Sequence, residues 1–127
     1  LDSDVIDVRE RAPLPFRVLV NPVYEPVGAE RVSFYEGCLS VSGWQAVVAR
    51  YRTVRLTGSD ETGSAIDEIV TGWPARIVQH ETDHLAGMLY IDRAELRSLI
   101  ADEGIGAVLG SEPSPTTAAR VLGFELA

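Results

Sequence analysis

The chain has 127 residues, 46% of them hydrophobic and 24% charged, which suits one globular domain with its own core and excludes disorder throughout. Its 19 Asp and Glu against 11 Lys and Arg give a formal net charge of −8 with no basic stripe, so direct nucleic-acid binding is not expected. A single cysteine excludes an internal disulfide and favours a reducing cytoplasm, and neither a long apolar run nor a basic-then-apolar start suggests a membrane span or a signal peptide.

Leu1 to Pro15 mixes charges with two prolines and has no sustained periodicity, so an irregular arm is expected over residues 1–15. Phe16-Arg17-Val18-Leu19-Val20 is a short β-rich run stopped by Asn21-Pro22, and Arg31 to Tyr35 is a weaker strand candidate ahead of Glu36-Gly37. Gln45 to Tyr51 and Thr53 to Thr57 read as strands. Gly58 to Gly63 is a strong turn signal leading to another strand over Ile66 to Val70. After Gly72 the period changes: Trp73, Ile77, His80, Glu81, His84, Leu85 and Met88 follow three- and four-residue steps that place them on one side of a helix facing the core. Thr71 or Gly72 suits its cap, Pro74 its first turn and Gly87 its end. Further on, Leu89-Tyr90-Ile91 is a short apolar run, Ala94 to Ala101 a short helix, Gly110 to Thr116 linker-like, and a last helix of about two turns ends before Gly123.

His80-Glu81-Thr82-Asp83-His84 fits H-E-x-x-H, in which imidazoles one helical turn apart can share a metal. Residues four apart stack on one helix face, whereas Glu81 is displaced by about 100° and can reach the open side of the site without ligating. Burying two imidazoles and a carboxylate requires something to satisfy them, and a metal does so. Asp83 and Gln79 are either partners that orient the ligands or ordinary solvated helix positions. Zinc peptidases with this helix take a third ligand downstream, but Tyr90 stands where the third histidine of the longer pattern belongs. Glu103 keeps a glutamate-ligated peptidase open. Cys38, in Glu36-Gly37-Cys38-Leu39-Ser40, is the other candidate ligand: Gly37 permits close backbone approach, and a strand end can project a ligand towards a helix.

Glu36-Gly37-Cys38-Leu39-Ser40 together with Gln79-His80-Glu81-Thr82-Asp83-His84-Leu85-Ala86-Gly87 resembles the second and third signature motifs of peptide deformylases, over about Phe16 to Arg93. The resemblance implies an α+β fold with antiparallel strands packed around a central metal-binding helix, a metal-site core over 16–93 and a tail over 110–127. It implies hydrolysis of the N-formyl group from the initiator formyl-methionine of nascent polypeptides, with release of formate. Cys38, His80 and His84 would hold one divalent metal, Fe2+ by family resemblance, with Zn2+, Ni2+ or Co2+ also compatible with the donor set. Glu81 would transfer the proton, and the Leu39 backbone N–H would face the oxyanion. Phe34, Glu36, Gly37, Trp73 and Ile77 would bind substrate, with Trp44 near the mouth of the site. N-formylmethionyl nascent peptides would be the partners, placing the enzyme close to the ribosome without a basic tail to dock on its RNA. The family's first motif, a glycine-rich segment ending in Ala-Pro-Gln, belongs upstream of Phe16 and is absent from this sequence, so N-terminal truncation is expected. The alternatives are an H-E-x-x-H metallopeptidase and an inactive deformylase-like metal-binding protein.

Overall fold

The computed structural model describes residues 8–106 and 112–127. The fold is α+β, with two three-stranded antiparallel sheets and two α-helices lying wholly within the described residues. One sheet has the order β1 (Val20–Pro26), β4 (Thr53–Ser59), β5 (Ala65–Thr71), and the other β2 (Arg31–Cys38), β3 (Val41–Tyr51), β6 (Ile100–Ala101). Between them lies α1 (Trp73–Leu85), which touches β1, β4 and β5 of the first sheet and β3 of the second. The chain passes from β3 to β4 through Arg52 alone.

From Val8 to Leu19 the chain has no regular structure, so the strand expected over Phe16 to Val20 is displaced: it begins at Val20 and runs on through Asn21-Pro22 to Pro26. The prolines do not stop it because β1 is an edge strand, where a missing N–H leaves no ladder bond unmade. Asn21 adopts φ 50°, and the register shifts between Val20 and Val23, the signature of a bulge. The arm is tied down at Glu10, whose carboxylate accepts a bidentate pair from Arg52 at 2.7 and 3.0 Å. Its carbonyl oxygen lies so close to Gly72 (φ 78°) that an added Cβ there would meet it at 2.8 Å, which is why the residue capping α1 is a glycine.

Strand β2 extends beyond the expected Tyr35 through Glu36-Gly37 to Cys38. Its ladder with β3 is regular from Arg31↔Tyr51 to Glu36↔Ala46 and then shifts, so that Cys38 pairs with Val41. Ser33 to Glu36 are all buried because this sheet is covered on both faces. Phe34, Glu36, Val48 and Arg50 meet α1, while Tyr35 and Val47 pack on Ala118 of α2 (Thr116–Leu122) with Leu122 and Phe124. The C-terminal segment read from sequence as a tail therefore supplies a fully buried side chain, Ala118. Of the expected linker, Gly110 and Ser111 lie outside the described residues.

No α-helix forms over Ala94 to Ala101. Single 3-10 turns at Tyr90–Asp92 and Leu96–Ser98 lead into β6. The backbone is recruited to the edge of β3 instead: the Glu95 N–H donates to the Val47 carbonyl at 2.9 Å, and the Ser98 hydroxyl accepts from the Val47 N–H at 2.6 Å. These bonds fix the segment in a shape that the intrahelical pattern would forbid.

Candidate metal centre

The register shift after Glu36 aims Cys38 at α1. There the Cys38 Sγ lies 3.5 Å from His84 Nε2, and one potential ligand atom from each of Cys38, His80 and His84 falls within 4.8 Å of the others. Among the described residues this is the one cluster of three such donors, and Glu103, on an exposed 3-10 turn, is not in it. A separation near 3.5 Å is what two ligands of a tetrahedral centre show when bonds are roughly 2.0–2.3 Å, so the cysteine and histidines fit one divalent metal. The two imidazoles are held edge to face, their centroids 5.0 Å apart.

Glu36 is almost fully buried beside the cluster. It is 6% exposed, and its Oε1 is 2.8 Å from His80 Nδ1 while Arg50 and Arg76 both donate to its carboxylate. With Nδ1 donating to Glu36, Nε2 of His80 is left as the basic nitrogen, the tautomer a metal needs. Burial by itself would raise the Glu36 pKa, but hydrogen bonds from His80 and Arg50 and the charges of Arg50 and Arg76 outweigh it and hold the group down at about 2. Reciprocally, the hydrogen bond to Glu36 raises His80. The Cys38 thiol is lowered to about 7, first by hydrogen bonding to the backbone of Ser40 and then by His80, so the thiolate is accessible near neutrality.

The buried face of α1 is not the stripe expected from its apolar residues. Ala75, Arg76, Val78, Gln79 and Asp83 are buried, whereas Leu85 is 71% exposed and Glu81 is exposed. Polar side chains occupy the inner face because each finds partners there. Gln79 donates to the Tyr51 carbonyl and accepts from its N–H, stitching the helix to the end of β3. Asp83 accepts from Tyr24 at 2.7 Å, Arg50 at 3.1 Å and Arg93 at 2.7 Å. The residue that bonds His80 is thus Glu36, on the opposite strand, and neither Asp83 nor Gln79 does so.

An open cleft of about 450 Å³ beside the cluster is lined by Glu36, Gly37, Trp73, Ile77, His80 and Glu81 among others. Phe34 is not on its surface. It is 7% exposed behind Trp73, edge to face at 5.8 Å, with the Arg76 guanidinium over its ring. Leu39 stands at the turn after Cys38 with its side chain 99% exposed, and with Trp44 it borders a second, shallow depression next to Cys38. Several residues of the site had no marker in the motifs. Tyr90 is 1% exposed, stacks on the His80 ring at 14° and donates to the Trp44 carbonyl, so the position of the missing third histidine is a packing residue. Arg50 carried one faint signal, a charged residue in phase with the inward-facing Ala46 and Val48.

The family model described as Polypeptide deformylase matches residues 3–99. A peptide deformylase of Streptomyces avermitilis is 67% identical over 124 residues, covering 98% of this chain and 55% of that protein. Among solved structures, an Arabidopsis thaliana peptide deformylase 1B in complex with an inhibitor superposes with a TM-score of 0.58 at 37% identity, over 74% of this chain and 49% of that one. A peptide deformylase from Acinetobacter baumannii with Met-Ala-Ser bound gives 0.57 at 39% identity, over 59% and 47%. The chain thus spans about half the length of the curated relatives it matches.

Proposed function

Since the chain belongs to the polypeptide deformylase family, we propose that it carries the metal site of an enzyme that removes the N-formyl group from the initiator formyl-methionine of nascent polypeptides, releasing formate. The observation that carries the reading is the convergence of Cys38, His80 and His84 beside a cleft into which Glu81 opens. The family is metal-dependent, and Fe2+ is the metal proposed here; Zn2+, Ni2+ and Co2+ suit the same nitrogen and sulfur donors. When bound, a divalent ion would act as a Lewis acid on the formyl carbonyl and bring water into the acidity range of neutral solution.

The protein's own groups do the rest. Glu81, exposed on the cleft side of α1, takes the proton of the attacking water and delivers it to the leaving amine. The Leu39 N–H, in the turn that follows Cys38, donates to the developing oxyanion. Gly37, Trp73 and Ile77 give the cleft a partly apolar wall for the methionine side chain. Glu36, also in the cleft lining, holds the His80 tautomer. Among the described residues no helix is long and apolar enough to cross a membrane. A reducing cytoplasm, close to the ribosome where formylated chains emerge, suits a site that depends on a free thiol.

The test is release of formate from a formyl-methionyl peptide by the whole protein loaded anaerobically with Fe2+ or Ni2+. Glu81→Gln should lose about 10²–10⁴-fold in rate while keeping its metal, and Cys38→Ser should lose the metal itself. A loaded protein that hydrolyses unformylated peptides instead would overturn the reading in favour of a metallopeptidase.

A further inference from the structure

We propose that Arg50 is a positioning residue for the metal site: its guanidinium fastens Glu36, which holds His80, to Asp83, the neighbour of His84, and so sets the two imidazoles relative to each other. The proposal rests on the reading of Cys38, His80 and His84 as one metal-holding set.

Arg50 lies on β3 with 3% of its surface exposed. Its Nε and Nη2 fork onto the Glu36 carboxylate at 2.6 and 2.9 Å, and its Nη1 reaches Asp83 at 3.1 Å. Glu36 in turn takes the Nδ1 side of His80 at 2.8 Å. One side chain from the sheet is therefore bonded to two carboxylates, one acting directly on the first histidine and the other built into the helix one residue before the second.

Charge balance does not explain its presence. Glu36 is also paired with Arg76, and Asp83 with Arg93, so both buried carboxylates would keep a cation if Arg50 were gone. Arg50 makes the cluster one positive charge in excess, beside a site whose task is to take up a cation. Desolvation makes that arrangement unfavourable unless the geometry repays it. What only Arg50 supplies is the link: Arg76 does not touch Asp83, and Arg93 does not touch Glu36 in the bonds each makes. A planar fork with a third donor can hold both carboxylates at once, and an ammonium group cannot reproduce it.

The decisive variant is Arg50→Lys, which keeps the charge and most of the stem. In cobalt(II) titrations of the whole protein, we expect it to bind about 10–100-fold more weakly than the unmutated protein, the range typical for losing support behind a ligand. The visible absorption of the bound cobalt should change, and kcat for formate release should fall with KM little altered. Arg55→Gln, which breaks an exposed pair with Asp67 on the other sheet, should match the unmutated protein in affinity and spectrum. A folded Arg50→Lys protein with unmutated cobalt affinity and spectrum overturns the proposal, even if its melting temperature falls. If Arg50→Lys does not fold, Asp83→Asn decides: it weakens one end of the link, and an unchanged cobalt spectrum and affinity would overturn the proposal in the same way. Cobalt binding that responds to Arg50 in a protein releasing no formate would sink the deformylase reading and leave the positioning role standing. An unmutated protein that takes up no cobalt would sink both.

Discussion

Cys38 and Glu36 lie two residues apart on one strand, yet their environments drive them to opposite tasks. The Cys38 thiol, brought down to about 7 by donors from Ser40 and His80, is near half ionisation at neutral pH. The alkylation rate of the metal-free protein should therefore rise through about pH 7 rather than near the usual thiol range, and stoichiometric divalent metal should suppress it. Monitoring iodoacetamide uptake against pH checks this, and a midpoint above 8 would contradict the hydrogen bonding described. Glu36 illustrates the reverse sign of linkage. Its folded pKa of about 2 lies below the ordinary 4.5, so its contribution is fully present above 4.5 and is lost as pH falls towards 2. That contribution is on the order of 3 kcal/mol. Glu36→Gln should remove this acid limb and leave two buried guanidiniums undercompensated, at about 3–5 kcal/mol. Urea unfolding at pH 7 and pH 3 measures both effects, with the two proteins converging at the lower pH.

At the scale of elements, α1 departs from the usual arrangement in which a helix buries its apolar side. Its inner face carries Arg76, Gln79 and Asp83, each bonded to a strand or to the segment that follows, and among the described residues no buried side-chain nitrogen or oxygen lacks a partner. Such a helix is held by directed bonds, which fix its rotation and so the direction in which His80 and His84 point. The same logic applies where the helix begins. Gly72 has φ 78° and sits against Glu10, so Gly72→Ala combines a left-handed alanine with a clash that only displacement of the arm can relieve. A loss of about 1–3 kcal/mol is expected, with faster proteolysis near Glu10 as the sign that the arm has moved. Equal stability and cleavage in the alanine variant would show that the arm does not depend on this contact.

Taken as a whole, the molecule places its chemistry on one side of the β2–β3 sheet and a second packing layer on the other. Ala118 is fully buried against Tyr35 and Val47 on that far side. Ala118→Leu should overpack it, at about 1–3 kcal/mol in denaturant unfolding, while cobalt affinity at the proposed metal site stays unchanged because the perturbation lies across the sheet. A changed affinity would mean the two layers are coupled. The sequence by itself determined the antiparallel strands between Arg31 and Val70, the helix after Gly72 and the two histidines one turn apart, because alternation, turn residues and helical spacing are local patterns. It also carried both motifs that place the chain in its family, since identity of short segments needs no coordinates. Only the tertiary structure decided that Glu36 bonds His80, that Arg50 joins two carboxylates, and that Ala94 to Ala101 serves the edge of β3 instead of forming a helix. Those outcomes depend on which polar groups from distant parts of the chain meet in the same buried volume, and a polar residue is stable there only when its partner arrives, a condition that no local pattern encodes.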